Sequence, residues 1–151
     1  MNLKKQNSFT LLEILIVISI IAILAATIIP NFIGFDTEAR LAASKTNLST
    51  LRTRVTLFRT KEGRYPKALD ELLEVTYSDL GVLKPYLDKM PVELISSSEG
   101  SNETITLKSD DKLPSDGGWA YIKDKAKVII DWDKELDAKW GKAEEQNPSE
   151  W

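Results

Sequence analysis

One carboxylate, Glu13, stands alone in a run from Phe9 to Phe35 that carries no other charge. An acid at the edge of a bilayer costs on the order of 2–3 kcal/mol on insertion scales, so it marks a functional position that needs a partner. The chain has no histidine and no cysteine. That excludes Ser-His-Asp catalysis, histidine general bases, thiolate metal sites and any disulfide framework. Two further groups could do chemistry. The loop Ser109, Asp110, Asp111, Ser115 and Asp116 offers hard oxygen ligands of the kind calcium takes, though without the spacing of an EF-hand, and a solvated acidic turn reads equally well. Trp119, Trp132 and Trp140 could stack nucleobases, but an acidic head argues against phosphate and favours core packing.

The elements that must position Glu13 follow from the pattern around it. Ile14 to Ile29 is sixteen residues without a charge, and Phe9 to Phe35 is long enough to cross a hydrocarbon core of roughly 30 Å as a helix. Lys4 and Lys5 precede it, so the positive-inside bias holds the N-terminus in the cytoplasm and sends the remainder outward. A conventional secretory signal is a poor rival, because Leu24-Ala25-Ala26 lacks the first small residue of a cleavage site and Glu13 interrupts an apolar h-region.

Two lysines, the small residue Ser8, then Phe9-Thr10-Leu11-Leu12-Glu13 and an aliphatic helix with Pro30 near its end closely resemble the class III leader of type IV prepilins and pseudopilins. The resemblance implies a leader over 1–8 that a prepilin peptidase removes after Ser8, where the family usually has glycine. It implies methylation of the new N-terminus, Phe9, and assembly through Glu13 pairing with the α-amine of a neighbour's Phe9. Pro30 falls at the family's proline position, where the helix is expected to loosen as subunits enter a filament. The implied partners are other copies, minor pilins or pseudopilins, the peptidase, an inner-membrane platform protein and an assembly ATPase. Secretion-system major pseudopilins often bind calcium near their sheet, which would place Asp110, Asp111 and Asp116 at the metal; otherwise no cofactor is implied. The alternative is a single-pass anchor that keeps its helix uncleaved and carries a periplasmic binding domain or enzyme.

Beyond Pro30, Leu41, Leu48, Leu51, Val55 and Phe58 recur at steps of seven, three, four and three, the stripe of an amphipathic helix that Gly63 stops. Thr10 to Glu62 thus predicts some fifty helical residues, about 80 Å at 1.5 Å each. A short helix is expected within Lys67–Val75, a loop-rich stretch to Gly100, then strands at Thr104–Leu107, Trp119–Ile122 and Val128–Trp132, the last two as a hairpin. Gly63-Arg64-Tyr65-Pro66 and Gly117-Gly118-Trp119-Ala120-Tyr121 resemble the post-helix and sheet segments of pseudopilins. The expected fold is α+β and pilin-like, a long N-terminal helix on a small antiparallel sheet. Its parts are a filament-core helix over 9–35, an amphipathic half over 36–64, a head over 65–136 and a charged, frayed tail over 137–151.

Charge is divided along the chain. Residues 38–64 hold seven Lys/Arg against two Asp/Glu, a balance of +5, and residues 65–151 hold eleven against nineteen, a balance of −8. Both can be solvated faces, or opposite signs can register one subunit against the next.

Overall fold

The computed structural model describes residues 9–32, 35–97, 99–136, 140 and 146–151; the side chains of residues 29–32 also lie outside this description. Ser8, Gly34 and most of the expected tail fall among the undescribed residues. The chain divides into two units, Met1–Asp36 and Thr37–Trp151.

The first unit is built on α1, Leu11–Phe32. Its window Leu11–Ile28 is long and apolar enough to cross a membrane, and none of it is buried. Aliphatic side chains all round, with no polar face, require lipid or partner helices rather than a core of its own. Pro30 sits in the last turn of α1. A proline has no backbone N–H to give to the helix ladder.

The second unit is organised by α2, Phe35–Glu62, which buries Ser44, Leu48, Leu51, Val55 and Phe58. These follow the 3.5-residue rhythm of the expected stripe, with Leu41 partly buried at its edge. Full burial of Leu51 and Phe58, both at 0% exposure, stabilises the head by about 1.5–3 kcal/mol each. Ser44 lies on the same stripe because its hydroxyl accepts the Leu94 N–H at 2.9 Å.

A single turn, α3 (Glu71–Glu74), places Leu72 in the core. The region expected to be loop then forms a hairpin, β1 (Thr76–Asp79) with β2 (Val82–Pro85), closed by Leu80 and Gly81, both at positive φ. The second sheet has the order β3-β4-β5: Thr104–Leu107, Trp119–Ile122 and Lys127–Ile130. β4 and β5 are antiparallel across a 3-10 turn, Lys123–Lys125, that ends with Ala126 in the left-handed region. β3 runs parallel to β4, Thr104 opposite Trp119, within the α+β arrangement expected. A parallel pair needs a crossover, and residues 108–118 supply it.

Trp119, Tyr121, Val128 and Ile130 meet the α2 stripe, joined by Leu69, Leu72, Tyr86, Ile95, Leu136 and Trp140. Trp119 and Trp140 are therefore core, and the Trp119 indole donates to the Pro91 carbonyl at 2.7 Å. The frayed tail needs correcting for its described residues. Pro148 is buried, a 3-10 turn spans Pro148–Glu150 with Asn147 as its cap, and Trp151 packs at the core's edge. Two contacts hold this end: Arg52 donates to the Trp151 carbonyl, and the Lys45 ammonium lies 4.1 Å from the centre of the Trp151 ring.

Candidate processing and assembly site

Phe9 is 78% exposed and precedes the first turn of α1, whose boundary Thr10 and Glu13 define together. The Glu13 carboxylate accepts the Thr10 N–H at 2.8 Å and the Thr10 hydroxyl at 2.9 Å. In return the Glu13 N–H donates to Thr10 Oγ1 at 3.2 Å. This is a capping box: Thr10 closes the helix start and Glu13, three residues on, reaches back to it. The Thr10-x-x-Glu13 spacing is legible in the sequence, and the reading that made Glu13 an assembly acid alone missed its local role. Both bonds to the carboxylate fall on Oε2, so Oε1 is open to a further donor among the described residues. Ser8, the residue before the expected cleavage, lies outside the described residues.

The acidic loop is built differently from a cation cage. Asp110, Asp111 and Asp116 are all exposed. Asp111 turns its carboxylate onto the Lys108 N–H at 2.8 Å, and Asp116 donates its N–H to Asp131 at 3.4 Å. Among the described residues no three acidic side chains gather closely enough to hold a metal ion. The three aspartates, as arranged, do not fit calcium.

Two buried carboxylates shape this region instead. Glu93, at 0% exposure, accepts from the backbone of Ile95, from Ser96 N–H at 3.0 Å, from the Ser96 hydroxyl at 2.7 Å and from Gly118 N–H at 3.3 Å. Asp131 accepts from Ser115 N–H at 3.0 Å, and burial pushes its carboxyl above the usual aspartate range while the Ser115 and Asp116 amides pull it back. Gly117 and Gly118 let the chain approach these acids. Both have φ above +90°, and a Cβ would meet Ser96 Oγ at 2.3 Å or the Glu103 carbonyl at 2.4 Å. Asp131 and Asp133 do not share a strand face. β5 ends at Ile130, Asp131 turns inward, and Asp133 is exposed, where it accepts from Asn147 at 2.8 Å.

The comparisons with known proteins bear on the first unit and, more thinly, on the head. Residues 3–29 match the prokaryotic N-terminal methylation motif. Over 68 residues the chain is 41% identical to the type IV major pilin protein PilA of Myxococcus xanthus, covering 45% of this chain and 31% of that protein. It is 25% identical over 127 residues to type II secretion system core protein G of Pseudomonas aeruginosa, covering 74% of this chain and 89% of that one. With the same core protein of Vibrio cholerae it shares 25% identity over 135 residues, 80% and 92% of the two chains. No solved structure matches significantly. A methylation motif laid over an exposed apolar helix, relatives that are pilins and pseudopilins, and an α+β head support a type IV pilin-like family for this chain.

Proposed function

We propose that this protein is a structural subunit, and not an enzyme, of a type IV pilus-like or type II secretion pseudopilus filament. The observation that carries the reading is the coincidence of the methylation motif over residues 3–29 with α1, whose lone acid sits one helical turn from Phe9. The precursor inserts through α1 with its N-terminus in the cytoplasm, and a prepilin peptidase cuts after Ser8 and methylates Phe9. Removing the leader exposes a cationic amine four residues from Glu13.

In a bundle of such helices a lone carboxylate is costly and an ammonium beside it compensates the charge. The open Oε1 accepts the amine of a neighbour while Oε2 keeps the helix cap. A subunit out of register would leave two charges unpaired in a low-dielectric bundle, so the pair sets the stagger as a buried polar group does in a coiled coil. Force comes from a cytoplasmic ATPase acting through an inner-membrane platform protein, with minor subunits assembling beside this one. The test is mass spectrometry of the protein from its native membrane. A methylated Phe9 terminus is expected, and an intact Met1 would favour an uncleaved anchor.

A further inference from the structure

Lys45, Arg52 and Arg59 follow one another at intervals of seven along α2, a row of cations roughly 10 Å apart on one flank of the helix. Each is held in place. Lys45 lies over the Trp151 ring, Arg52 donates to the Val128 carbonyl at 3.0 Å and to Trp151, and the Arg59 guanidinium is 4.6 Å from the Tyr65 ring centre. The β4–β5 turn brings Lys125 and Lys127 to the same flank, where they line a 250 Å³ hollow with Arg52 and Tyr65. A second hollow of 380 Å³ between Lys45, Arg52 and Trp151 continues it.

Rings orient Lys45 and Arg59 without neutralising them, while Arg52 is bonded to the backbone oxygens of Val128 and Trp151. Among the described residues none of Lys45, Arg59, Lys125 and Lys127 is in an ion pair with an acidic side chain, whereas Arg64 is paired with Glu71 and Lys84 with Asp79. No acidic side chain lines either hollow. The Tyr65 hydroxyl accepts from Arg59, so its own proton can go to an incoming anion. Cations gathered beside a hollow repel one another unless an anion enters.

The same head exposes Asp110, Asp111 and Asp116 on one loop. We propose that the α2 groove lined by Lys45, Arg52, Lys125 and Lys127 receives the acidic 109–116 loop of a second copy of this chain. Charge complementarity selects that occupant: residues 38–64 carry +5, residues 65–151 carry −8, and the loop presents three exposed carboxylates. Each copy then offers one groove and one loop, a heterologous pairing that repeats from subunit to subunit rather than closing on itself. The proposal rests on the filament reading and adds a contact between heads to it.

The test uses full-length protein in cell membranes and exploits the absence of native cysteine. Lys127→Cys in one copy and Asp111→Cys in another, co-expressed and mildly oxidised, are expected to give a disulfide-linked dimer; Lys127→Cys with Glu99→Cys is the control pair. Separately, Lys125→Glu/Lys127→Glu should lower filament yield about tenfold at equal membrane level, and adding Asp110→Lys/Asp111→Lys to the same chain should restore it. Filaments without the mixed dimer, equal linking in the control pair, or no rescue by the swap would each overturn the groove contact and leave the filament reading standing. The mixed dimer in a parent strain that makes no filaments would sustain the contact and sink the filament reading. Linking of Lys127→Cys to a species of foreign mass would overturn the second copy as occupant.

Discussion

Glu93 is the residue whose replacement should reveal how the head is held together. Its carboxylate is wholly buried with no cation paired to it among the described residues and is compensated by four donors, three of them backbone N–H groups of Ile95, Ser96 and Gly118. Glu93→Ala orphans those three amides. At about 1–3 kcal/mol for each buried donor left unmade, the loss is about 2–6 kcal/mol even if one recovers a water. Against a total of roughly 5–15 kcal/mol for a domain, that removes much of the head's stability. Glu93→Gln has nearly the same shape and can keep an acceptor for the Ile95 and Ser96 amides, but its NH2 then faces both the Ser96 hydroxyl and the Gly118 amide. The serine hydroxyl can rotate to accept, whereas the Gly118 amide cannot. One lost bond predicts about 1–2 kcal/mol, or roughly 4–8 °C in melting temperature for a unit of this size. Thermal unfolding of the full chain in detergent, followed in the near-UV through buried Trp119, measures the series. The expected order is parent, Gln, Ala. A Gln variant as stable as the parent together with an Ala variant within about 1 kcal/mol would refute the role of the carboxylate as the organiser of these loops.

Replacing Glu13 by leucine should ease membrane insertion yet impair filament formation, whereas Glu13→Gln keeps an acceptor for Thr10 without the charge; normal filaments from the Gln variant at equal membrane level would refute the amine pairing. A fragment beginning at Asp36 should fold alone, because the α2 stripe already has the sheet to cover it; circular dichroism and size exclusion would reveal a molten or aggregated product if this is wrong. Burial pushes the Tyr121 hydroxyl, which donates to the Pro66 carbonyl at 3.0 Å, up to about 12. A raised folded value means its contribution is intact below the ordinary value of 10.0 and lost as pH climbs through about 12, so alkaline unfolding should be blunted in Tyr121→Phe. Chelator should leave the melting temperature unchanged, since the three loop aspartates do not converge; a clear fall would place a cation on other ligands.

What the sequence determined by itself was local and periodic. The apolar run identifies a helix long and apolar enough to cross a membrane, and the stripe from Leu41 to Phe58 identifies the buried face of α2, because helical side chains one turn apart must share a side. Trp119–Ile122 was readable as a strand for the same reason. Even the capping box at Thr10 and Glu13 was present in four consecutive residues.

The remainder belonged to the tertiary structure. The β1–β2 hairpin was hidden because Leu80 occupies a positive-φ turn position where Asn or Gly would have announced it. The parallel pairing of β3 with β4 depends on where an eleven-residue crossover lands, which no local pattern encodes. Ser44 and Glu93 are polar yet buried. Their partners, Leu94 for the one and Gly118 for the other, are 50 and 25 residues away along the chain, so only the closed fold brings the compensating donors to them. The docked end from Asn147 to Trp151 was likewise invisible, because Arg52 and Lys45, which hold it, lie about a hundred residues earlier. Burying a polar group is permitted only where distant donors converge, and convergence is a property of the folded chain.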